Sequence, residues 1–497
     1  MKRELFSSML ILSLAGAAQG QTIPLALKEA IRMGVERNLD VRAELYNPAA
    51  AEADLRKNRG IYDTHLTLLT NFQYSTTQSA SSVLTGTTLS RQKTFRLNPG
   101  VNRLLPSGGT VALVNNNTWN SNNSTVTLDN YWQSDLTLSL AQPLLKNFGR
   151  ETTELNISVA VNAKEGALER FRARLNDTVA QVRTEYFKLR SLREDLEVRK
   201  TSLALSRKIL ADTQGRVKAG VLPAMEILNA EFGVASREKE VIDAEKAVSD
   251  QNDLLRALLR MQGSEDLDPV DRPDSGELAV DGKAALQRAL GERPELKEAR
   301  SNLKSSELQA RVAEQRTRPD LNLTSALSLT GLDKTYNRDL EKIASADYPV
   351  WSIGLQLDYP LGNSAAENDL ARSRIKHEQA GVQLRSLEQN VENEVKIAIR
   401  AVATAFKQLE VTGRGRAYAE ERLRSFIKKS EAGLATTKDV LDVENDLVVA
   451  RGNEIKALVA YDEARNRLWR ATGELLEKSG VKVDSKDADD LYEKLRR

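Results

Sequence analysis

"YWQSDLTLSLAQPLL" (residues 131–145) and "YPVWSIGLQLDYPL" (348–361) decide how this chain is read. In the first, Trp132, Leu136, Leu138 and Leu140 alternate with Gln133, Asp135, Thr137 and Ser139; in the second, Trp351, Ile353, Leu355 and Leu357 share a face in the same way. A period of two marks a strand with one apolar face. Leu355-Gln356-Leu357-Asp358-Tyr359-Pro360-Leu361 lies over Leu138-Ser139-Leu140-Ala141-Gln142-Pro143-Leu144, so each strand runs into a proline that ends its ladder before a long helical stretch. Two similar runs precede them. "HLTLLTNFQYS" (65–75) puts Leu66, Leu68, Thr70, Phe72 and Tyr74 on one face, with Leu69 the exception, and "PDLNLTSALSL" (319–329) supplies Leu321, Leu323, Leu327 and Leu329.

The correspondence extends outward into a twofold internal repeat. Phe171, Leu175, Val179, Val182, Tyr186 and Leu189 step by threes and fours, and Val391, Val395, Ile399, Val402, Phe406 and Leu409 repeat them at a shift of 220. Such a seam implies helices that supercoil on neighbours. "AGLATTKDVLDVE" (432–444) lies over "AGVLPAMEILNAE" (219–231) at a shift of 213, one heptad less, and "ALQRALGERPEL" (285–296) resembles "ALKEAIRMGVERNLDV" (26–41). The first repeat is placed at 21–262, with a β segment over about 63–143, a long helix over 152–216 and a returning helix over 223–261. A polar, Pro-bearing linker (263–280) follows, then the second repeat at 281–475, with a β segment over about 320–360, a long helix over 364–431 and a returning helix over 436–472. Ser364 and Glu367 are spaced as a capping box at the start of the second long helix. Residues 476–497 form a polar tail. The first β segment is the longer. A Pro-Ser-Gly-Gly turn (106–109) between strand-like runs leaves room for an additional hairpin, while the Asn/Ser-rich "NNNTWNSNNS" (115–124) reads as an exposed loop.

Composition narrows the function. With 5% aromatic and 29% charged residues, the 497-residue chain favours long, solvent-washed helices over a thick core. A formal charge of +2 gives no general argument for nucleic acid. Two histidines, His65 and His377, and no cysteine leave little material for a metal cofactor or thiol chemistry, and no nucleophile–base constellation points to an enzyme. Lys2 and Arg3, the apolar run through Met9, Leu10, Ile11, Leu12 and Leu14, and Ala18-Gln19-Gly20 predict a secretory signal peptide over 1–20. With no Cys after that cleavage site and no later run of about 18 apolar residues, the exported chain is expected to enter a membrane only as a β-barrel.

A helix of about 60–65 residues reaches roughly 90–100 Å. About four strands of 10–14 residues suit a bilayer of about 30 Å, but four strands, or even six, cannot close a barrel when the smallest use eight. Open edges are not tolerated in lipid, so several chains must pool their strands. The repeat, the "LxLxxPL" strand ends and the "AG…DVLDVE" helix start together resemble the TolC family of outer-membrane channels over about residues 24–475. The resemblance implies an α+β membrane protein: a homotrimer with a β-barrel in outer-membrane lipid, continued by a long α-helical coiled-coil barrel across the periplasm. It also implies a passive exit duct of a tripartite efflux pump or type I secretion system. Its partners would be a periplasmic adaptor (membrane fusion) protein and an inner-membrane transporter. A periplasmic adaptor or structural coiled-coil envelope protein is the alternative; adaptors, however, lack paired membrane strands.

In TolC-like channels, acidic residues ring the closed periplasmic aperture. Asp439 and Asp442 match the two acids of that motif, Glu226 takes the equivalent place in the first repeat, and Asn229 replaces the second acid there. Such a ring would attract cations. The simpler reading is a solvated first turn, where acids favour a helix N-terminus. The family's closing latch, an Arg and a Tyr, is replaced by Ala435 and Ser430, with Lys428, Lys429 and Lys438 nearby. Trp132, Tyr131, Trp351, Tyr348 and Tyr359 sit near strand ends and suit interfacial aromatic girdles, with core packing the alternative.

Overall fold

The computed structural model describes residues 22–78, 86–123 and 128–496. The expected signal peptide therefore lies outside the described residues. Two compact units emerge, each assembled from separated stretches of chain. One gathers the residues up to Glu44, Arg172–Pro294 and Gln389–Val483; the other gathers Leu45–Phe171, Glu295–Glu388 and Asp484 onward.

The first unit is almost wholly helical. Its elements are α1 (Leu27–Arg37), most of α4 (Leu155–Lys218), α5 (Met225–Leu259), α6 (Gly282–Glu292), most of α9 (Ser364–Glu431), α10 (Thr437–Thr472) and the single turn α11 (Leu475–Lys478). Two short strands, β1 (Ile23–Leu25) and β6 (Leu267–Pro269), pair in parallel. The seam read from the sequence is buried: Val179, Val182, Tyr186 and Leu189 are fully enclosed with Leu255, Leu259 and Leu475. The Tyr186 hydroxyl donates to the Leu25 carbonyl at 2.7 Å and accepts from the Asp271 amide at 3.1 Å. This ties the chain's entry and the interdomain linker to one core. The guanidinium groups of Arg183 and Arg465 both stand over the Trp469 ring of α10, 5.0 and 5.1 Å from its centroid, as cation–π contacts.

The second unit is built on one antiparallel sheet. Its strands, β2 (His65–Gln78), β3 (Leu89–Leu104), β4 (Thr110–Asn122), β5 (Asn130–Pro143), β7 (Asp320–Asp333) and β8 (Pro349–Asp358), lie side by side in that order. The room left in the first β segment is thus filled by an additional hairpin, β3–β4, turning through Pro106–Gly109. The loop expected over 115–124 is corrected: its residues to Asn122 are strand, paired with β5 from Thr110↔Ala141 to Ser121↔Asn130. Asparagine is a poor strand former by propensity, but here its amides bond within the sheet. Asn117 Nδ2 donates to the Leu97 carbonyl at 2.9 Å and Asn116 Nδ2 to Asp135 Oδ2 at 2.9 Å.

Helices α2 (Leu39–Arg59), the short α3 (Arg150–Thr153), α7 (Pro294–Gln315), α8 (Tyr336–Ser345) and α12 (Lys486–Arg496) complete the elements. Helix α8 packs on β5 and β7. Gly331 makes room for it, since a Cβ there would come within 2.3 Å of the Asp339 carbonyl oxygen. The tail expected to be merely polar also contains structure. Asp489 of α12 bonds Lys164 at 2.7 Å, Arg56 pairs with Glu493 and lies 4.5 Å from the Tyr492 ring centroid, and Ala488 is buried. Ser364 is the first residue of α9, and its hydroxyl donates back to the Gly362 carbonyl at 3.2 Å instead of capping the helix with Glu367 as expected.

Replacing the fully buried Leu255 with Ala is expected to lower stability in detergent by about 2–5 kcal/mol through transfer and cavity terms. The same change at exposed Leu254 is expected to stay within about 0.5 kcal/mol. Thermal loss of helical circular dichroism measures both.

Candidate functional site: the paired helix breaks

Both long helices stop in the same way. At the end of α4, the Gly220 amide donates to the Val217 carbonyl and the Val221 amide to Arg216, each at 2.9 Å, with Gly220 at φ 74. At the end of α9, the Gly433 amide reaches the Ser430 carbonyl at 3.1 Å and the Leu434 amide reaches Lys429 at 2.8 Å, with Gly433 at φ 75. A left-handed glycine followed by a reversed pair of bonds is how a helix satisfies its last carbonyls. The equivalence of "AGV" and "AGL" is thus reproduced as geometry.

The returning helices begin differently. Thr436 and Asp439 form a capping box on α10: Thr436 Oγ1 accepts from the Asp439 amide at 3.2 Å, and Asp439 Oδ2 accepts from the Thr436 amide at 2.8 Å. These bonds from Thr436 hold the Asp439 carboxyl below its ordinary value of 3.8. Asp442, one turn on, is exposed, as is Asp439. Helix α5 has no side-chain cap; Pro223 and Ala224 supply only carbonyls, to the amides of Glu226 and Ile227. Glu226 is half-buried, and its Oε2 is covered with no hydrogen-bond partner among the described residues. The three expected acids thus all lie at helix starts, one of them already engaged in capping.

The acid that sequence reasoning missed lies in the same stretch. Glu444, 2% exposed, receives Arg237 Nη2 at 2.8 Å and the Ser202 hydroxyl, joining α4, α5 and α10. Arg237 also reaches Asn445 Oδ1 at 3.1 Å and Glu240 at 2.8 Å. The signal was present: Val440, Val443, Glu444 and Leu447 fall on one helical face, so the glutamate occupies an apolar stripe. Below it Val440, Val443 and Leu447 pack against Ala419 and Leu423 of α9.

At the expected latch positions, Ser430 is engaged through its backbone: Arg216 Nη1 donates to its carbonyl at 2.8 Å, while Arg216 Nε pairs with Asp212 at 3.0 Å. Around the breaks Val221, Met225, Leu228, Phe232 and Leu434 are exposed, Phe232 by 78%. The aromatic candidates separate. Trp132 is covered by Tyr336 of α8, with ring centroids 4.7 Å apart, whereas Trp351 is 74% exposed on β8; Tyr131 is half-buried and Tyr359 exposed. Among the described residues, no cluster of His, Cys, Asp and Glu could hold a metal, and no helix is long and apolar enough to cross a membrane.

Long helices broken at matched glycine turns, together with a sheet of strands that carry one apolar face, are the elements of a channel-forming outer-membrane protein. A family model described as outer membrane efflux protein matches residues 102–259 and 285–474, and the chain belongs to that family. It is 22% identical, over 72% of its length and 76% of the relative's, to the outer membrane efflux protein BepC of Brucella suis biovar 1 (strain 1330). Its fold is similar to that of CusC, a protein described by transmembrane channel formation (TM-score 0.64, 17% identity, covering 93% of this chain and 95% of that one). It is similar too to the Campylobacter jejuni outer membrane channel CmeC (TM-score 0.61, 13% identity, covering 94% and 89%). The chain is therefore a TolC-type outer-membrane channel, an exit duct for efflux.

Two tests follow from this geometry. Arg237→Ala leaves the Glu444 carboxylate buried without its cation and is expected to cost about 3–5 kcal/mol, whereas Arg237→Met with Glu444→Leu recovers most of that loss. Comparing thermal midpoints of the two variants decides it. For Asp439 the depressed pKa means its cap is fully effective above the ordinary value of 3.8 and is lost as pH falls through the lower folded-state value. Protection factors of the Thr436–Val440 amides, taken relative to intrinsic exchange at each pH, are expected to fall as pH drops below about 4.

Proposed function

We propose that three copies of this chain form the duct and that its periplasmic end is gated at the paired breaks. Asp439 and Asp442 of each copy, with Glu226, would line the constriction there. The observation that carries this reading is the matched termination of α4 and α9 at Gly220 and Gly433, which puts the three acids at helix starts just beyond two equivalent turns. Carboxylates gathered on an axis repel one another, bind cations and favour cation passage.

The conduit is passive. Its energy comes from an inner-membrane transporter, reached through a periplasmic adaptor that docks at the breaks. The exposed Val221, Met225, Leu228, Phe232 and Leu434 supply apolar surface for neighbouring helices of that assembly. Export by the signal peptide over 1–20 delivers the chain to the periplasm. Tyr359, exposed just past the end of β8, stands at one membrane interface and Tyr131 and Trp132, at the opposite end of the sheet on β5, at the other, with Trp351 between them on the row of Leu138 and Leu327.

The double variant Asp439→Ala with Asp442→Ala is expected to lower cation selectivity and weaken block by multivalent cations in planar bilayers. Selectivity identical to the parent would remove these acids from the constriction. Because Asp439 also caps α10, Asp442→Asn alone provides the control: it deletes charge and leaves the capping box intact.

A further inference from the structure

The hairpin β3–β4 does not sit on the sheet as an appendage. Strand β3 pairs with β2 from His65↔Asn102 to Gln78↔Leu89, and β4 pairs with β5 along its whole length. The hairpin therefore separates β2 from β5, and each owes its ladder on that side to it. One row of the register crosses all six strands: Leu66, Val101, Leu113, Leu138, Leu327 and Trp351 stand opposite one another in turn. Directly opposed residues share a face, so this is an apolar band to which the hairpin contributes as the other strands do. Farther along, a row on the other face is polar over these strands, with Asn71, Arg96, Thr118 and Gln133 in succession before Leu332 on β7. A water-exposed external flap has no need of such one-sidedness.

The edges supply the second observation. All ten residues of β8 are exposed, and all of β2 except Ser75. Trp351, Ile353, Leu355 and Leu357 on one edge and Leu66, Leu68 and Phe72 on the other are each more than 60% exposed. An unpaired strand edge is not tolerated in hydrocarbon, and six strands are too few to close on themselves. Because the sheet is a meander of an even number of strands, its two edges run in opposite directions. Strand β8 of one copy can then continue into β2 of the next with the antiparallel pattern unbroken.

Resting on the three-copy reading above, we propose that β3–β4 is part of the membrane wall and that copies join β8 to β2, so that three copies close a barrel of eighteen strands. Four strands per chain would give twelve. Barrel diameter grows roughly linearly with strand number, so this wall is about half again as wide. The duct then opens outward through a lumen broader than four strands per chain could enclose, and its membrane segment is not what limits the size of cargo.

Cryo-electron microscopy of the full-length protein in lipid nanodiscs counts the strands. Eighteen, with Phe95, Leu97 and Val101 facing lipid, is the expected result. A trimer with a twelve-stranded wall and β3–β4 lifted outside it overturns this inference while leaving the duct reading intact; a particle that forms no oligomer overturns both. An independent arm uses the absence of cysteine from the chain. Arg96→Cys is expected to label with a membrane-impermeant maleimide through the lumen, and Leu97→Cys in the same hairpin is expected to lose labelling because lipid covers it. Equal labelling at the two positions places the hairpin in water and rejects the proposal.

Discussion

The constraint on which the structure depends is that hydrocarbon offers no partner to a backbone N–H or C=O. Where no helix among the described residues is long and apolar enough to cross a membrane, only strands can meet it, and strands meet it only when no edge is left over. Everything in the sheet unit answers to that rule. Six strands exchange their bonds in one meander, most large apolar side chains of each strand share one face, and the Pro143 and Pro360 endings stop the ladders where the long helices take over. What the single chain leaves unpaired are the outer edges of β2 and β8.

The helical unit solves a different problem with little apolar material. Its core draws on Val, Leu, Ala, Ile, Met, Phe and Tyr, and several charged side chains are buried beside it. Where a carboxylate enters the seam at Glu444, it is neutralised by Arg237 and bonded by Ser202, so each of three helices contributes one member. Removing Arg237 would strand the Glu444 carboxylate away from water, while removing Ser202 would take one hydrogen bond from it. The same stretch sends Asp439 and Asp442 outward. Three acids within six residues therefore do two different things, according to which side of α10 they occupy.

Much of this was legible because periodicity is a local property. Alternation in 131–145 and 348–361, the 3.5-residue seam from Phe171 to Leu189 and the two "AG" breaks each follow from neighbouring residues, and the repeat let one half check the other. The readings that failed did so for physical reasons. "NNNTWNSNNS" looks like a loop because asparagine prefers turns, yet in the sheet its amides find partners on adjacent strands. Ser364 and Glu367 have capping-box spacing, but the helix starts at the serine itself, and the box forms instead at Thr436 and Asp439. The tail folds as α12 because Lys164 and Arg56, more than 300 residues earlier in the chain, donate to its carboxylates.

The sequence by itself determined the kinds of element, their order, their duplication and the faces they bury, since these depend on spacing along one chain. Only the tertiary structure decided that the extra hairpin joins the sheet, that Trp132 lies under Tyr336 while Trp351 stands bare, and that Glu444 and not its neighbours is the buried acid. Those outcomes turn on which distant strand or helix supplies the missing hydrogen bond or countercharge. No spacing within a single stretch records that partner.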